Sequence, residues 1–139
     1  MYRHILLAVD GSDHSVRATN EAIKLAVVGS DSVIDVLYVI DYDKAKQEVL
    51  HTPLKEELDA ARRRKLAGIE ERLRAHRLSY EVHILHGEPG PTIVEYADRE
   101  QVDVVVIGSR GLNAFQEMML GSVSHKVVKR AKVPVLVVK

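Results

Sequence analysis

Short runs of apolar residues alternate along this chain with longer segments whose apolar residues repeat at helical spacing. Such alternation is typical of βαβ units, in which helices join parallel strands and cover the sheet that they form. The sequence predicts five strands, at His4–Val9, Ser32–Ile40, Tyr80–His86, Asp103–Ile107 and Pro134–Val138. The first, fourth and fifth are rich in Val, Ile and Leu, as strands covered on both faces are. We therefore expect an α/β fold: an open five-stranded parallel sheet, Rossmann-like, with helices on both faces.

Four helices are predicted between these strands, at Asp13–Val28, Pro53–Arg77, Pro91–Arg99 and Ser122–Ala131. The second carries a run of basic residues at positions 62–65, but acidic residues stand beside it. A solvated helix face is therefore favoured over a nucleic-acid-binding patch. At 139 residues, with no linker or internal repeat, the chain has the size of one domain, and we expect a single domain over residues 1–139.

Composition excludes several classes of protein. The chain has 20 basic and 20 acidic side chains, whereas proteins that bind duplex nucleic acid or membrane surfaces use a large basic excess. It has no cysteine, which excludes disulfides, thiolate nucleophiles and thiolate metal sites. No apolar run approaches the roughly 20 residues needed to cross a bilayer, and the first one is too short for a secretion signal. We expect a cytoplasmic protein without nucleic-acid or membrane partners.

A glycine motif follows the fourth strand: Gly108 and Gly111, then nine intervening residues, then Gly121-Ser122 at the start of the last helix. Glycines after a buried strand permit positive φ and let backbone N–H groups approach phosphate oxygens. The helix start adds unsatisfied N–H groups and a positive dipole end, and Ser122 and Ser124 add hydroxyl groups. Taken singly, the glycines could merely turn the chain and Ser122 could merely cap the helix. Their coincidence favours a phosphate-binding site, although neither the P-loop nor the dinucleotide pattern is present.

Asp10 ends the first strand, in the turn Asp10-Gly11-Ser12. Doubly wound sheets bind ligands at the carboxyl ends of their strands, where the winding direction reverses. A carboxylate at this position could accept hydrogen bonds from a ribose or an adenine amino group. The alternative is an aspartate that organises the turn through its own backbone.

The seven histidines show no metal-binding motif. His83 and His86 are three residues apart on a predicted strand, so their side chains point to opposite faces of the sheet. The others are scattered, and H-E-x-x-H is absent. The sequence therefore predicts no structural metal site.

These motifs resemble the universal stress protein family, in its ATP-binding branch, over essentially the whole chain. The resemblance is carried by Asp10-Gly11-Ser12, Val39-Ile40-Asp41, His86-Gly87-Glu88-Pro89, the segment from Asp103 to Gly111, Leu120-Gly121-Ser122-Val123-Ser124, and Val133 to Val138. The glycine spacing matches that branch without a gap and is usually lost in the branch that binds no ATP. The resemblance implies a fold similar to that of the adenine-nucleotide alpha hydrolases, with ATP across the ends of strands one, two and four.

The resemblance also implies which residues contact the nucleotide. The backbone beside Ala8 and Val39 flanks the adenine, Asp10 contacts the adenosine portion, and Gly108 and Gly111 line the ribose and phosphates. The other implied nucleotide-binding residues lie between the glycine clusters and at the start of the last helix: Ser109, Arg110, Leu112, Asn113, Gly121, Ser122, Val123 and Ser124. The implied ligand is ATP, with or without Mg²⁺, and no residue is assigned to the metal.

Three functions are compatible with these observations. The first is a nucleotide-dependent regulatory or stress-response module, with a client that the sequence does not indicate. The second is an enzyme that hydrolyses ATP slowly or transfers an adenylyl group, and the third is a stress protein that binds no nucleotide. Because the P-loop lysine is missing, we expect ATP turnover well below about one per minute, against about 1–100 per second in kinases.

The final strand predicts self-association. Residues 135–138 are apolar and fall at the expected sheet edge, where unpaired backbone groups invite pairing with another chain. The resemblance implies a homodimer formed by the two final strands, and a two-fold axis makes antiparallel pairing of this kind self-complementary.

Overall fold

The computed structural model describes residues 1–41, 55–110 and 121–139. Its strands are β1 (His4–Val9), β2 (Val33–Ile40), β3 (Ser79–His86), β4 (Val104–Gly108) and β5 (Val135–Val138). They form one sheet in the order β3-β2-β1-β4-β5, and every neighbouring pair is parallel. The predicted open five-stranded parallel sheet is thus confirmed, and the winding direction reverses between β1, the central strand, and β4.

Among the described residues, four helices lie between these strands: α1 (Asp13–Val27), α2 (Lys55–Ala75), α3 (Pro89–Glu100) and α4 (Ser122–Arg130). Helix α2 ends two residues earlier than predicted, because Arg77 adopts a φ of 57° and the N–H of Leu78 donates back to the carbonyl of Leu73. The predicted start at Pro53 lies outside the described residues. Helix α3 begins two residues earlier than predicted, with Pro89 in the first turn, where its missing N–H is not needed.

The helices cover both faces of the sheet, as predicted. Helices α1 and α2 pack against one face, and α3 and α4 pack against the other. Both faces of β1 and β4 are therefore buried, which explains their lack of polar and apolar alternation. Within residues 1–41, 55–110 and 121–139, no helix combines the length and apolar character that a membrane crossing requires.

Helix α1 lies unusually close to the sheet. It buries the small residues Ala18, Ala22 and Ala26 completely. A Cβ atom added at Gly108, the last residue of β4, would lie 2.6 Å from Cβ of His14 in the first turn of α1. Gly108 is therefore required by the approach of a helix. The positive φ that glycine permits is not used at Gly108 or Gly121; among the described residues, Gly11 and Gly87 are the glycines with positive φ.

Candidate functional site

A pocket opens at the carboxyl ends of β1, β2 and β4, on the side where α4 begins. Strands β2 and β4 flank β1, and their connections leave the sheet in opposite directions, which opens a crevice at this edge. The pocket is lined by Ala8, Val9, Asp10, Ser15, Leu37, Tyr38, Val39, Ile40, Asp41, Lys65, Pro89, Ile93, Ile107, Gly108, Arg110, Gly121, Ser122, Val123 and Ser124. Apolar strand residues thus form one part of its wall, and the start of a helix forms another.

The start of α4 presents backbone N–H groups that no side chain caps. Gly121 stands at the N-cap position and provides no side-chain acceptor for the helix. The N–H groups of Ser122, Val123 and Ser124 are directed out of the helix end, as the first N–H groups of any α-helix are. By contrast, α1 is capped by Ser12, whose hydroxyl accepts from the N–H of Ser15 at 3.3 Å. Helix α3 also starts at this pocket without a side-chain cap, but Pro89 and Pro91 leave Gly90 as the only N–H group in its first three positions. Helix α4 therefore offers more N–H donors to a ligand than the other described helices at this edge.

One carbonyl holds this helix start in place. The carbonyl oxygen of Ser109 accepts from the N–H of Gly121 and from the hydroxyl of Ser124, both at 2.7 Å. The Ser124 hydroxyl lies 3.1 Å from the Gly121 carbonyl as well, and the residue is buried. A Cβ atom at Gly121 would approach Cα of Arg110 and the Ser109 oxygen to 3.2 Å. Gly121 therefore allows the two ends of the glycine motif to pack together.

Asp10 forms the turn between β1 and α1. Its Oδ1 accepts from the hydroxyl of Ser15 at 2.8 Å and from the N–H of Ser12 at 2.9 Å, and its own N–H donates to the Ser15 hydroxyl. The turn-organising alternative considered for this aspartate is thus observed. The same bonds fix the carboxylate on the pocket wall, so the alternative and a ligand-binding role are compatible.

Charged groups of both signs surround the pocket. Asp10 and Asp41 contribute carboxylates, and Lys65 and Arg110 contribute cations. The stem of Lys65 crosses above Gly11, whose added Cβ would lie 2.7 Å from Cδ of the lysine. The pocket therefore combines local cations with helix N–H groups, although the chain as a whole has no net charge.

The family model for the universal stress protein family matches residues 1–139. The chain belongs to this family. It is 34% identical to the universal stress protein YxiE of Bacillus subtilis, over the full length of both chains. In structure it is similar to the protein MJ0577 of Methanocaldococcus jannaschii, with a TM-score of 0.87, 32% identity, and coverage of 100% of this chain and 96% of the other. A universal stress protein solved in complex with cAMP matches with a TM-score of 0.72, 26% identity, and coverage of 99% and 97%.

Most of the predicted nucleotide-binding residues of this universal stress protein come together in the pocket. Its wall contains nine of them: Ala8, Asp10, Val39, Gly108, Arg110, Gly121, Ser122, Val123 and Ser124. Ser109 is not among the lining residues; it is buried, and its hydroxyl lies 3.2 Å from Nδ1 of His14. Gly111, Leu112 and Asn113 lie outside the described residues.

The structure changes the role expected of one hydroxyl in this universal stress protein. Ser124 was expected to offer its side chain to a phosphate, but that hydroxyl donates to backbone carbonyls. What remains for a ligand at this position is the backbone N–H. The exposed Ser122 retains the predicted hydroxyl at the pocket wall.

Lys65 is one of the pocket residues to which the sequence analysis assigned no ligand-binding role. It was placed on the solvated basic face of α2 because acidic neighbours accompany that run. Helical spacing does not show which member of a basic run faces another element of the fold. The available signal was that Lys65 directly precedes the buried Leu66 and lies about one turn before the buried Ile69, since these two apolar residues face the sheet.

Proposed function

We propose that this universal stress protein binds ATP across the carboxyl ends of β1, β2 and β4 and acts as a nucleotide-dependent regulatory module. The observation that carries the proposal is the start of α4. Its N–H groups have no side-chain cap from Gly121, and Ser122 to Ser124 line the pocket. A helix start of this kind binds phosphate through the N–H groups and the positive end of the helix dipole.

The rest of the pocket suits a nucleoside. Ala8 and Val39 lie on neighbouring strands, with Ile107 beyond Ala8 on the other side, and these residues line the pocket with apolar surface. Asp10 adds a fixed carboxylate that can accept from a ribose hydroxyl. The relative solved with cAMP supports an adenine nucleotide as the ligand class. ATP rather than a monophosphate is favoured by two cations, Lys65 and Arg110, at the same pocket.

The sharpest test places a negative charge at the exposed Ser122. In Ser122→Asp the carboxylate stands in the first turn of α4, where it should stabilise the helix by about 0.3–1 kcal/mol. The same charge repels a phosphate, so we expect ATP to bind at least tenfold more weakly, which corresponds to about 1.4 kcal/mol. Urea unfolding measures the change in stability, and calorimetric titration measures the change in the ATP binding constant.

The matched control is Ser30→Asp, which makes the same change at an exposed turn between α1 and β2. It should leave ATP binding unchanged. For Ser122→Asp the loss should grow from AMP to ADP to ATP, and adenosine should bind as it does to the wild type. If Ser122→Asp folds and binds ATP like the wild type, the phosphates do not lie at α4 and the proposal is wrong.

Nucleotide released from heat-denatured protein separates this function from its alternatives. Retained ATP supports the binding module, retained ADP supports a slow hydrolase, and an empty site supports a stress protein that binds no nucleotide. We expect retained ATP and a turnover well below about one per minute. The protein would then act in the cytoplasm, where ATP is abundant, and Mg²⁺ would enter with the nucleotide.

We also propose that the protein is a homodimer through β5. This strand forms one edge of the sheet, and Leu136 on it is 36% exposed. An apolar edge strand pairs readily with a second copy of itself. Sedimentation of the wild type should show a dimer, and Leu136→Pro should shift it to monomer or aggregate. A wild type that remains monomeric at high concentration would exclude this mode of assembly.

A further inference from the structure

A second cluster of polar side chains lies toward the amino ends of the strands, away from the pocket. Its centre is Asp35 of β2, which is only 5% exposed. The Oδ2 atom of Asp35 accepts from the hydroxyl of Tyr96 at 2.8 Å and lies 2.7 Å from Nε2 of His4. Both hydrogen bonds engage the same oxygen, and the other oxygen, Oδ1, faces Nε2 of His83 at 3.9 Å.

The register of the sheet brings two further groups to Asp35. Glu81 of β3 lies directly opposite Asp35 of β2, and His83 follows two residues later on the same face of the strand. The Glu81 Oε2 atom lies 3.4 Å from Nε2 of His83. One ligand atom from each of Asp35, Glu81 and His83 can be chosen so that all three lie within 4.8 Å of one another.

Nε2 of His83 is the unexplained atom of this cluster. It is buried, and within the part of the chain that the structure describes it has no hydrogen-bond partner. Buried ring nitrogens in folded proteins are almost always hydrogen-bonded or coordinated. This one is directed at two carboxylates that are too far away, or too poorly aligned, for hydrogen bonds.

We propose that Asp35, Glu81 and His83 form a site for a divalent transition metal of the Zn²⁺ type. Zn²⁺ takes imidazole nitrogen and carboxylate oxygen at about 2.0–2.2 Å and commonly uses three protein ligands with water in the fourth position. Ligands around such an ion lie about 3.3–3.6 Å from one another. The separations of 3.4 Å and 3.9 Å from His83 are close to that geometry, and the two carboxylates, within 4.8 Å of each other, would draw together around the ion. The two carboxylates also neutralise the charge of the ion. The ion in turn compensates the negative charge of Asp35, which is otherwise costly to bury.

His4 and Tyr96 are positioning residues in this site. By engaging Oδ2 of Asp35 they orient the carboxylate so that Oδ1 faces His83. Hydrogen bonds of this kind to a ligating carboxylate usually increase metal affinity. Glu81, whose side chain is 71% exposed, leaves the site open to solvent and gives the ion a path of entry.

The histidine pattern of the sequence did not reveal this site. Only one histidine is a ligand, and it is separated from Asp35 by a helix and the connections on either side of it. The expectation that the chain has no structural metal site rested on histidine spacing, and the present proposal rests on cross-strand register instead.

Calorimetric titration of Zn²⁺ into the full, untagged and chelator-treated chain at neutral pH tests the proposal, with nucleotide omitted so that the pocket plays no part. We expect one Zn²⁺ per chain, bound at least tenfold more tightly than Mg²⁺ or Ca²⁺, which prefer sites made only of oxygen. His83→Ala should weaken Zn²⁺ binding at least tenfold. His76→Ala removes an exposed histidine outside the cluster and should leave Zn²⁺ binding unchanged.

Glu81→Gln provides an independent arm, because its exposed side chain can be changed without disturbing the core even if His83→Ala fails to fold. It should weaken Zn²⁺ binding severalfold. Absence of Zn²⁺ binding by the wild type overturns the proposal. Binding that both cluster variants leave unchanged also overturns it, since the ion would then sit on other histidines.

Discussion

Adding one methyl group at Gly108 should destabilise the fold through a single close approach. The new Cβ atom in Gly108→Ala would lie 2.6 Å from Cβ of His14, and 3.0 Å and 3.1 Å from the carbonyl carbon and oxygen of the same residue. Gly108 has no positive φ, so backbone strain does not contribute. The whole effect comes from the lack of space between β4 and α1.

The size of the effect follows from these distances. His14 would have to retreat by about 0.8 Å to reach an ordinary contact distance of 3.4 Å. Because two of the three contacts are backbone atoms in the first turn of α1, a side-chain rotation cannot relieve them. The helix must move as a unit on its buried alanines, and overpacking of this kind costs about 1–3 kcal/mol. For a domain of this length that corresponds to a fall in Tm of about 3–12 °C.

Gly68→Ala is the matched control, because it makes the same chemical change in the interior of α2. A Cβ atom there meets nothing within 4 Å. Alanine is the better helix former by about 0.8–1.0 kcal/mol, so this variant should be more stable than the wild type. Urea unfolding of the wild type and the two variants gives their free energies of unfolding, which can be compared directly if the free energy falls with urea concentration at the same slope in all three. If Gly108→Ala lies within about 0.5 kcal/mol of the wild type, the close approach of α1 to β4 is not a real constraint.

Two further predictions concern single side chains. Burial, together with the hydrogen bond to Asp35, raises the pKa of the Tyr96 phenol. The folded state therefore keeps this proton, whereas the unfolded state loses it above about pH 10. The free energy of unfolding of the wild type should exceed that of Tyr96→Phe by a constant amount below pH 10, and the difference should shrink as the pH rises further. A difference that stays constant up to pH 11.5 would contradict this. Lys65→Met keeps the aliphatic stem over Gly11 but removes the charge. In equilibrium titration this variant should bind ATP about two- to fivefold more weakly than the wild type and adenosine equally well, and the control Lys132→Met should have no effect. Equal losses for ATP and adenosine would instead place Lys65 beside the base.

The fold could be predicted because its signals are local. Each strand could be recognised as a short run rich in apolar residues. The parallel arrangement follows because helical segments between the runs return the chain to the same edge of the sheet. The glycine motif and Asp10 both follow the carboxyl ends of strands. Because the carboxyl ends of parallel strands lie at one edge of the sheet, these residues indicated that strands one and four lie close together. The pocket location was therefore accessible from residues that are close together in sequence.

The remaining features depend on contacts between distant parts of the chain. The reason for Gly108 is the backbone of His14, which no spacing rule connects to it. The hydroxyl of Ser124 donates to the carbonyl of Ser109, 15 residues earlier in the chain. The sequence does not show that these two groups lie within hydrogen-bonding distance. The meeting of Asp35 with His83 requires the register of β2 on β3, which apolar runs do not determine.

The bonds at Ser109 have a consequence for engineering. Gly121 and Ser124 both donate to its carbonyl, so the two points at which residues 111–120 enter and leave are already joined by the surrounding structure. A replacement segment of different length would be attached to two chain ends that these hydrogen bonds already hold close together. Each doubling of loop length costs only about 0.6 kcal/mol in closure entropy. We therefore expect that new sequences can be grafted between Arg110 and Gly121 without rebuilding the start of α4, because the bonds that hold this start lie outside the exchanged residues.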